Sequence, residues 1–114
     1  MKKEKVSIIL PTYNRCNMLS NVIDSILTQT YSDFELLIID DASTDQTKEL
    51  VYSITDDRIR YFRLEQNSGP SVARNYGIGK ALFDYIAFAD SDDLWFLDKL
   101  QKQMEILKKS ETDT

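Results

Sequence analysis

Three carboxylates fall within four residues at Asp90-Ser91-Asp92-Asp93. Carboxylates held that close repel one another and raise each other's pKa unless a cation joins them. Oxygen-only ligands select a hard ion such as Mg²⁺ or Mn²⁺ over zinc. Such ions commonly use one or two protein carboxylates and complete their shell with water and substrate phosphates. An ion held there would neutralise charge developing on a departing diphosphate. A plainer explanation also exists. Aspartates cap helices and gain from the helix dipole, and the spacing predicts a helix from near Leu94. One Asp needs no more than that, whereas three behind a buried strand exceed it.

Four further positions carry candidate chemistry. Asp40 reads as a turn residue, while Asp41 can accept hydrogen bonds from a base or ribose. Tyr13 can stack on a planar base, or simply cover the edge of a sheet. Arg74 can contact base or phosphate with its fork of donors, or serve as a surface ion-pair member. The chain has no histidine. That removes Ser-His-Asp chemistry, Cys-His chemistry and the usual zinc sites. Catalysis must then run on carboxylates, a metal, or both. Gly77-Ile78-Gly79 lacks the third glycine of a dinucleotide fingerprint and sits late in a helix. Gly79-Lys80 is followed by Ala81, so it is no phosphate-binding P-loop. Cys16 and Trp95 read as packing residues.

The elements that must position these residues are legible in the hydrophobic periodicity. Val6 to Leu10 is a β-branched run ended by Pro11, a buried strand. A helix is expected over Asn17 to Thr28, with Leu19, Val22, Ile23, Ile26 and Leu27 on one face. Phe34 to Ile39 is a second buried strand. Ser43 and Gln46 fit a capping box that opens a second helix reaching Ile54. Arg58 to Leu64 alternates as an edge strand does. Asn67-Ser68-Gly69-Pro70 is a turn, and Pro70 suits the first turn of a helix running to Leu82. Tyr85 to Ala89 is a fourth strand. Leu97, Leu100, Met104 and Leu107 mark a last helix, and Lys108 to Thr114 a frayed tail.

The order β-α-β-α-β-α-β-α implies an α/β, Rossmann-like fold: a mainly parallel sheet with helices on both faces. Ligands of such sheets bind beyond the carboxyl ends of the strands. The candidate residues fall there, including five aspartates (Asp40, Asp41, Asp90, Asp92 and Asp93). The 114 residues suffice for one core, and a net charge of −5 argues against a nucleic-acid surface. A single cysteine excludes an internal disulfide and suits a reducing compartment. No apolar run is long enough to span a membrane.

Four segments in this order resemble the inverting family 2 glycosyltransferases of GT-A fold. They are Val6 to Arg15, Phe34 to Asp45, Asn67 to Asn75 and Tyr85 to Asp93, and the resemblance extends over residues 5–109. It implies transfer of a sugar from a nucleotide diphosphate, usually a UDP-sugar, to an acceptor hydroxyl with inversion. It also implies Mn²⁺ or Mg²⁺ as cofactor, and a role in polysaccharide or glycan assembly. By similarity, Pro11, Thr12 and Tyr13 line the nucleotide pocket, Asp41 hydrogen-bonds the base and Arg74 lies at the nucleotide. Asp90-Ser91-Asp92 corresponds to the family's Asp-x-Asp motif. Asp92 would be the direct metal ligand and Asp90 would contact ribose or metal.

Two departures stand out. Phe83-Asp84-Tyr85 replaces the family's frequent Gly-Glu/Asp-Tyr. More importantly, family members continue past the Asp-x-Asp, and the general base that deprotonates the acceptor lies in that later region. Glu105, Glu111 and Asp113 are not promoted to that role. Residues 1–109 are therefore expected to form the nucleotide-sugar-binding part of a GT-A domain, with 110–114 as tail. The base is expected beyond Thr114, and so is the region that meets a glycan or lipid-linked acceptor. This chain alone is expected to bind nucleotide without turnover. A cytoplasmic location is expected, with the inner face of the membrane reached through parts outside the chain. Two other classes compete: a non-catalytic nucleotide-binding module, and a phospho-receiver-like domain. The receiver reading ranks below the others, because the first strand is followed by Pro11-Thr12-Tyr13-Asn14 rather than an acidic pair and the third by Glu65-Gln66-Asn67 rather than a lone phosphate-accepting Asp.

Overall fold

A computed structural model of the protein describes residues 4–112, with side chains as far as Leu107. Four strands and four helices alternate: β1 (Val6–Thr12), α1 (Cys16–Leu27), β2 (Phe34–Asp40), α2 (Thr47–Tyr52), β3 (Ile59–Arg63), α3 (Pro70–Lys80), β4 (Tyr85–Phe88) and α4 (Lys99–Thr112). The sheet is wholly parallel, in the order β3-β2-β1-β4. This is the α/β architecture that alternating apolar strands and amphipathic helices require. β2 is buried at every position, which explains why it is nearly all apolar. β3 is half-buried at the sheet edge, which explains its alternation.

The two faces are covered unequally. Ile8, Leu10, Leu36 and Ile38 pack under α1, α2 and α4, against Leu19, Ile23, Val51 and Leu100. Ile9, Leu37 and Ile39 face the opposite way, onto Ala73 of α3. α3 lies over β1 and β2, leaving Ile86 and Phe88 of β4 exposed. It also approaches the sheet closely. A Cβ on Gly77 would stand 2.6 Å from Ile9 Cγ2. The first glycine of the failed fingerprint is thus a packing glycine.

Most element ends shift by one or two residues, α4 runs on to Thr112 where a tail was expected from Lys108, and three boundaries differ for a traceable reason. β1 does not end before Pro11 but continues through it to Thr12, paired with Asp40 of β2. Ile9 O accepts from Ala89 N on the β4 side, whereas Thr12 O accepts from Asp41 N on the β2 side. Backbone groups of a central parallel strand alternate between its two neighbours, so the missing N–H of Pro11 falls on the β4 side. There β4 has already ended opposite Ile9 and Phe88, and no ladder bond is lost.

The capping box does not form either. α2 starts at Thr47 rather than behind Ser43, and Gln46 makes no cap bond. Ser43 Oγ instead accepts from Asn14 N–H at 2.9 Å, and Asp45 accepts from both the N–H and the hydroxyl of Thr47. The third difference bears on the site. No helix begins at Leu94; α4 starts at Lys99. The intervening segment is strapped to the end of α1. Trp95 is buried and its N–H donates to Ser25 Oγ at 3.1 Å, while Leu97 O accepts from Thr30 N–H at 2.9 Å. The buried Gln29 accepts from Leu100 N–H at 3.0 Å, so its side chain supplies the cap of α4.

Candidate functional site

The connection from β1 to β3 moves outward on one side of β1, and the connection from β3 to β4 returns past it to the other side. The strand order therefore reverses between β1 and β4. A crevice opens at such a point beyond the carboxyl ends of the strands. A cavity of about 330 Å³ occupies it, lined by Pro11, Thr12, Tyr13, Arg15, Asp41, Pro70, Ala73, Arg74, Asp90, Ser91 and Asp92. All seven residues singled out in the sequence as nucleotide- or metal-binding line this one cavity. Arg15, Pro70, Ala73 and Ser91 join them. Of these, Arg15 was the most accessible to reasoning, because it closes the loop that carries Tyr13.

Each wall has a local cause. Pro11 and Thr12 are the last residues of β1, and Tyr13, 45% exposed, projects from the loop behind them. Asn14 has φ +51°, a left-handed value that asparagine tolerates. Its Oδ1 accepts from Thr44 N–H at 2.8 Å, which ties the loop after β1 to the loop after β2. Ala42 has φ +65°, uncommon for a residue with a Cβ, and turns the chain directly after Asp41.

Asp41 is buried, and both its oxygens are engaged. Oδ1 accepts from Ser68 N–H at 2.8 Å and Oδ2 from Gly69 N–H at 2.9 Å. The carboxylate thus clasps the turn that precedes α3 and fixes Gly69, whose φ of +96° suits glycine. Carboxylate oxygens carry further lone pairs, so the clasp leaves acceptor capacity toward the cavity.

Asp40 has a different job. It is fully buried, accepts from Ser43 N–H at 2.9 Å, and takes the Tyr61 hydroxyl and the Arg63 guanidinium on its other oxygen. Burial first, then the hydrogen bond and charge of Asp40, push the Tyr61 hydroxyl well up, so it stays a donor. This network anchors the base of the Asp41 loop. Thr12 is also buried, and its hydroxyl has no hydrogen-bond partner among the described residues.

The acidic cluster divides. Asp90, Ser91 and Asp92 line the cavity, whereas Asp93 does not, and its N–H closes a turn onto Asp90 O at 3.2 Å. Because α4 begins only at Lys99 and is capped by Gln29, none of these aspartates caps a helix. Asp90 lies 3.8 Å from Arg74 Nη2 across the cavity. Among the described residues, no group of three or more His, Cys, Asp or Glu side chains forms a metal cage. The donor set does fit a different kind of site. Two exposed carboxylates facing an open cavity suit a hard ion that keeps most of its shell for water and phosphate.

A second cavity, of about 370 Å³, lies at the opposite end of the sheet and includes Lys5, Glu35, Arg58 and Arg60. Its buried carboxylate is committed to structure. Glu35 accepts from Ser7 Oγ at 2.6 Å, Arg60 Nη1 at 2.9 Å and Leu82 N–H at 2.8 Å. Burial alone would raise its pKa, but these bonds outweigh burial and hold the carboxyl below its ordinary value. Position and free chemistry both favour the first cavity.

A parallel sheet with a carboxylate-lined crevice at its strand reversal defines an open α/β protein with its ligand site at the switch point. Comparison with known proteins narrows the class. The profile of glycosyl transferase family 2 matches residues 7–114, and the chain belongs to that family. An uncharacterised glycosyltransferase of Rickettsia felis is 50% identical over 107 residues, which are 93% of this chain but 18% of the relative. S. aureus TarS 1–349 in complex with UDP-GlcNAc superposes with a TM-score of 0.86 at 31% identity, over 92% of this chain and 31% of that one. The mannosyltransferase PcManGT of Pyrobaculum calidifontis, in complex with GDP-Man and Mn²⁺, superposes with a TM-score of 0.77 at 28% identity, over 83% of this chain and 30% of that one. The chain thus spans about a fifth of the first relative and about a third of these structures. No helix among the described residues is long and apolar enough to cross a membrane.

Proposed function

We propose that this chain is the donor-binding part of a glycosyltransferase that takes a UDP-sugar with Mn²⁺ or Mg²⁺ and delivers the sugar to an acceptor hydroxyl with inversion. The observation that carries the reading is the cavity at the strand reversal, where Tyr13, Asp41, Arg74, Asp90 and Asp92 converge. Tyr13 offers a ring for the base, and the remaining acceptor capacity of Asp41 gives the base direction. Asp92 is the principal metal ligand and Asp90 the second contact, to metal or ribose. Once bound, the metal supplies Lewis-acid stabilisation of the departing diphosphate. The UDP-GlcNAc complex of TarS supports the donor class, and the Mn²⁺ of PcManGT supports the ion.

Residues 1–109 form the donor-binding part in this reading, and α4 continues past it to Thr112 rather than giving way to a tail at residue 110. Inversion needs a base on the face of the sugar opposite the diphosphate. Glu105 accepts from Gln101 on the exposed side of α4 and does not line the cavity. Glu111 lies beyond the described side chains, and Asp113 outside the described residues. The base is assigned to sequence beyond Thr114, together with the surface for a glycan or lipid-linked acceptor.

Calorimetry tests the reading. UDP should bind in the presence of Mn²⁺ or Mg²⁺, weaken sharply without the ion, and lose its metal dependence in Asp92→Ala. The chain alone should bind UDP-sugar without hydrolysing or transferring it. Tight UDP binding that ignores the metal would overturn the assignment of Asp92.

A further inference from the structure

Arg74 and Asp90 face each other across the cavity. Arg74 sits one turn into α3, behind the Gly69-Pro70 start that Asp41 clasps. Its Nη2 is 3.8 Å from Asp90 Oδ1, too far for a good hydrogen bond but close enough for charge pairing. Both side chains remain accessible, at 39% and 65% exposure. The cavity wall carries three carboxylates (Asp41, Asp90 and Asp92) against two guanidinium groups (Arg15 and Arg74). Two backbone N–H groups already engage Asp41, so Arg74 is directed by charge toward Asp90.

We propose that Arg74 is a stand-in cation, which occupies the field of Asp90 in the free protein and weakens divalent-ion binding until a nucleoside diphosphate draws it away. The inference rests on the metal site proposed above and adds an order to it. A guanidinium 3.8 Å from Asp90 opposes a second cation at the same carboxylate. A diphosphate offers Arg74 a better partner, because the planar fork matches phosphate oxygens bidentately. Turning to the phosphates, Arg74 frees Asp90 for the ion. Nucleotide and ion then favour each other's binding by the same factor. Exposed pairs of this kind are worth up to about 1 kcal/mol, which is about a fivefold effect on affinity.

The test uses Mn²⁺ alone as probe, with the free ion read by electron paramagnetic resonance. Without nucleotide, Arg74→Gln should bind Mn²⁺ about threefold to fivefold more tightly than the wild type. The gain should vanish when Asp90→Asn is added. UDP should raise Mn²⁺ affinity more in the wild type than in Arg74→Gln. Equal or weaker Mn²⁺ binding by Arg74→Gln overturns the stand-in role; so does a gain that survives Asp90→Asn. Wild-type protein that binds Mn²⁺ with UDP, beside an Arg74→Gln variant showing no gain, refutes the ordering alone and leaves the metal site standing. Absence of Mn²⁺ binding in both proteins, with or without UDP, refutes the site and the ordering together.

Discussion

Gly77→Ala and Gly79→Ala should move stability in opposite directions, although both lie in α3 two residues apart. In an unencumbered helix, Gly→Ala gains up to about 1 kcal/mol. Gly79 has that freedom, since a Cβ there meets nothing within 4 Å. At Gly77 the new Cβ would stand 2.6 Å from Ile9 Cγ2 and 3.2 Å from Ile9 Cγ1. Ordinary contact begins at 3.4 Å, so the shortfall is about 0.8 Å. Ile9 is fully buried and β-branched, so it has no free rotamer to retreat into. Overpacking of this kind costs about 1–3 kcal/mol. Set against the helix gain, Gly77→Ala should destabilise by up to about 2 kcal/mol. Gly79→Ala should stabilise by about 0.5 kcal/mol or more. Urea denaturation of the two variants beside the wild type reads the difference directly. The displaced helix carries Ala73 and Arg74, so nucleotide affinity should also fall in Gly77→Ala and hold in Gly79→Ala. If both substitutions stabilise equally, α3 does not press on β1 at Gly77.

Two further outcomes are expected. Asp41→Asn places an amide N–H₂ against one of two backbone N–H donors, those of Ser68 and Gly69. It should cost about 1–3 kcal/mol of stability and weaken nucleotide binding, measured by denaturation and calorimetry; a variant as stable as the wild type would show that the clasp holds nothing in place. Glu35 supplies a pH dependence. Its folded carboxyl titrates below the ordinary value, so its contribution is present above about pH 4.3, where the unfolded carboxyl titrates, and is lost as pH falls through the folded value. Glu35→Gln should flatten that part of a urea-midpoint profile between pH 7 and 3, and an unchanged profile would contradict the network.

Much of the fold was legible because burial writes itself into strands. The nearly all-apolar run in β2 and the alternation in β3 pointed to a parallel sheet with β3 at an edge, and both features hold. The features that escaped were set by distant partners. Ser43 and Gln46 satisfy the local rule for a helix start, yet Asn14, twenty-nine residues before Ser43, takes the Ser43 hydroxyl. The helix expected at Leu94 is displaced because Ser25, Gln29 and Thr30 take backbone groups of Trp95, Phe96 and Leu97 in the segment before Lys99. Neither contact has a local signature. The site shows the same division. Its wall residues were legible in the loops behind the strands, because the carboxyl ends of parallel strands share one edge of the sheet. The clasp by Asp41 and the pairing of Arg74 with Asp90 depend on loop geometry, which spacing does not encode. The displaced helix also removes one of the two explanations for the acidic cluster: with Gln29 capping α4, the aspartates at 90 to 93 have no helix to cap.

The central claim is that Asp90 and Asp92 hold a divalent ion beside a nucleoside diphosphate. Paramagnetic broadening by Mn²⁺ in the presence of UDP, followed residue by residue in backbone amide spectra, tests it most directly. Broadening should centre on Asp90 to Asp92, reach Tyr13 and Arg74, and vanish in Asp92→Ala. Broadening centred instead on Asp33 and Asp57, which also line the second cavity at the opposite end of the sheet, or unchanged in Asp92→Ala, would contradict it.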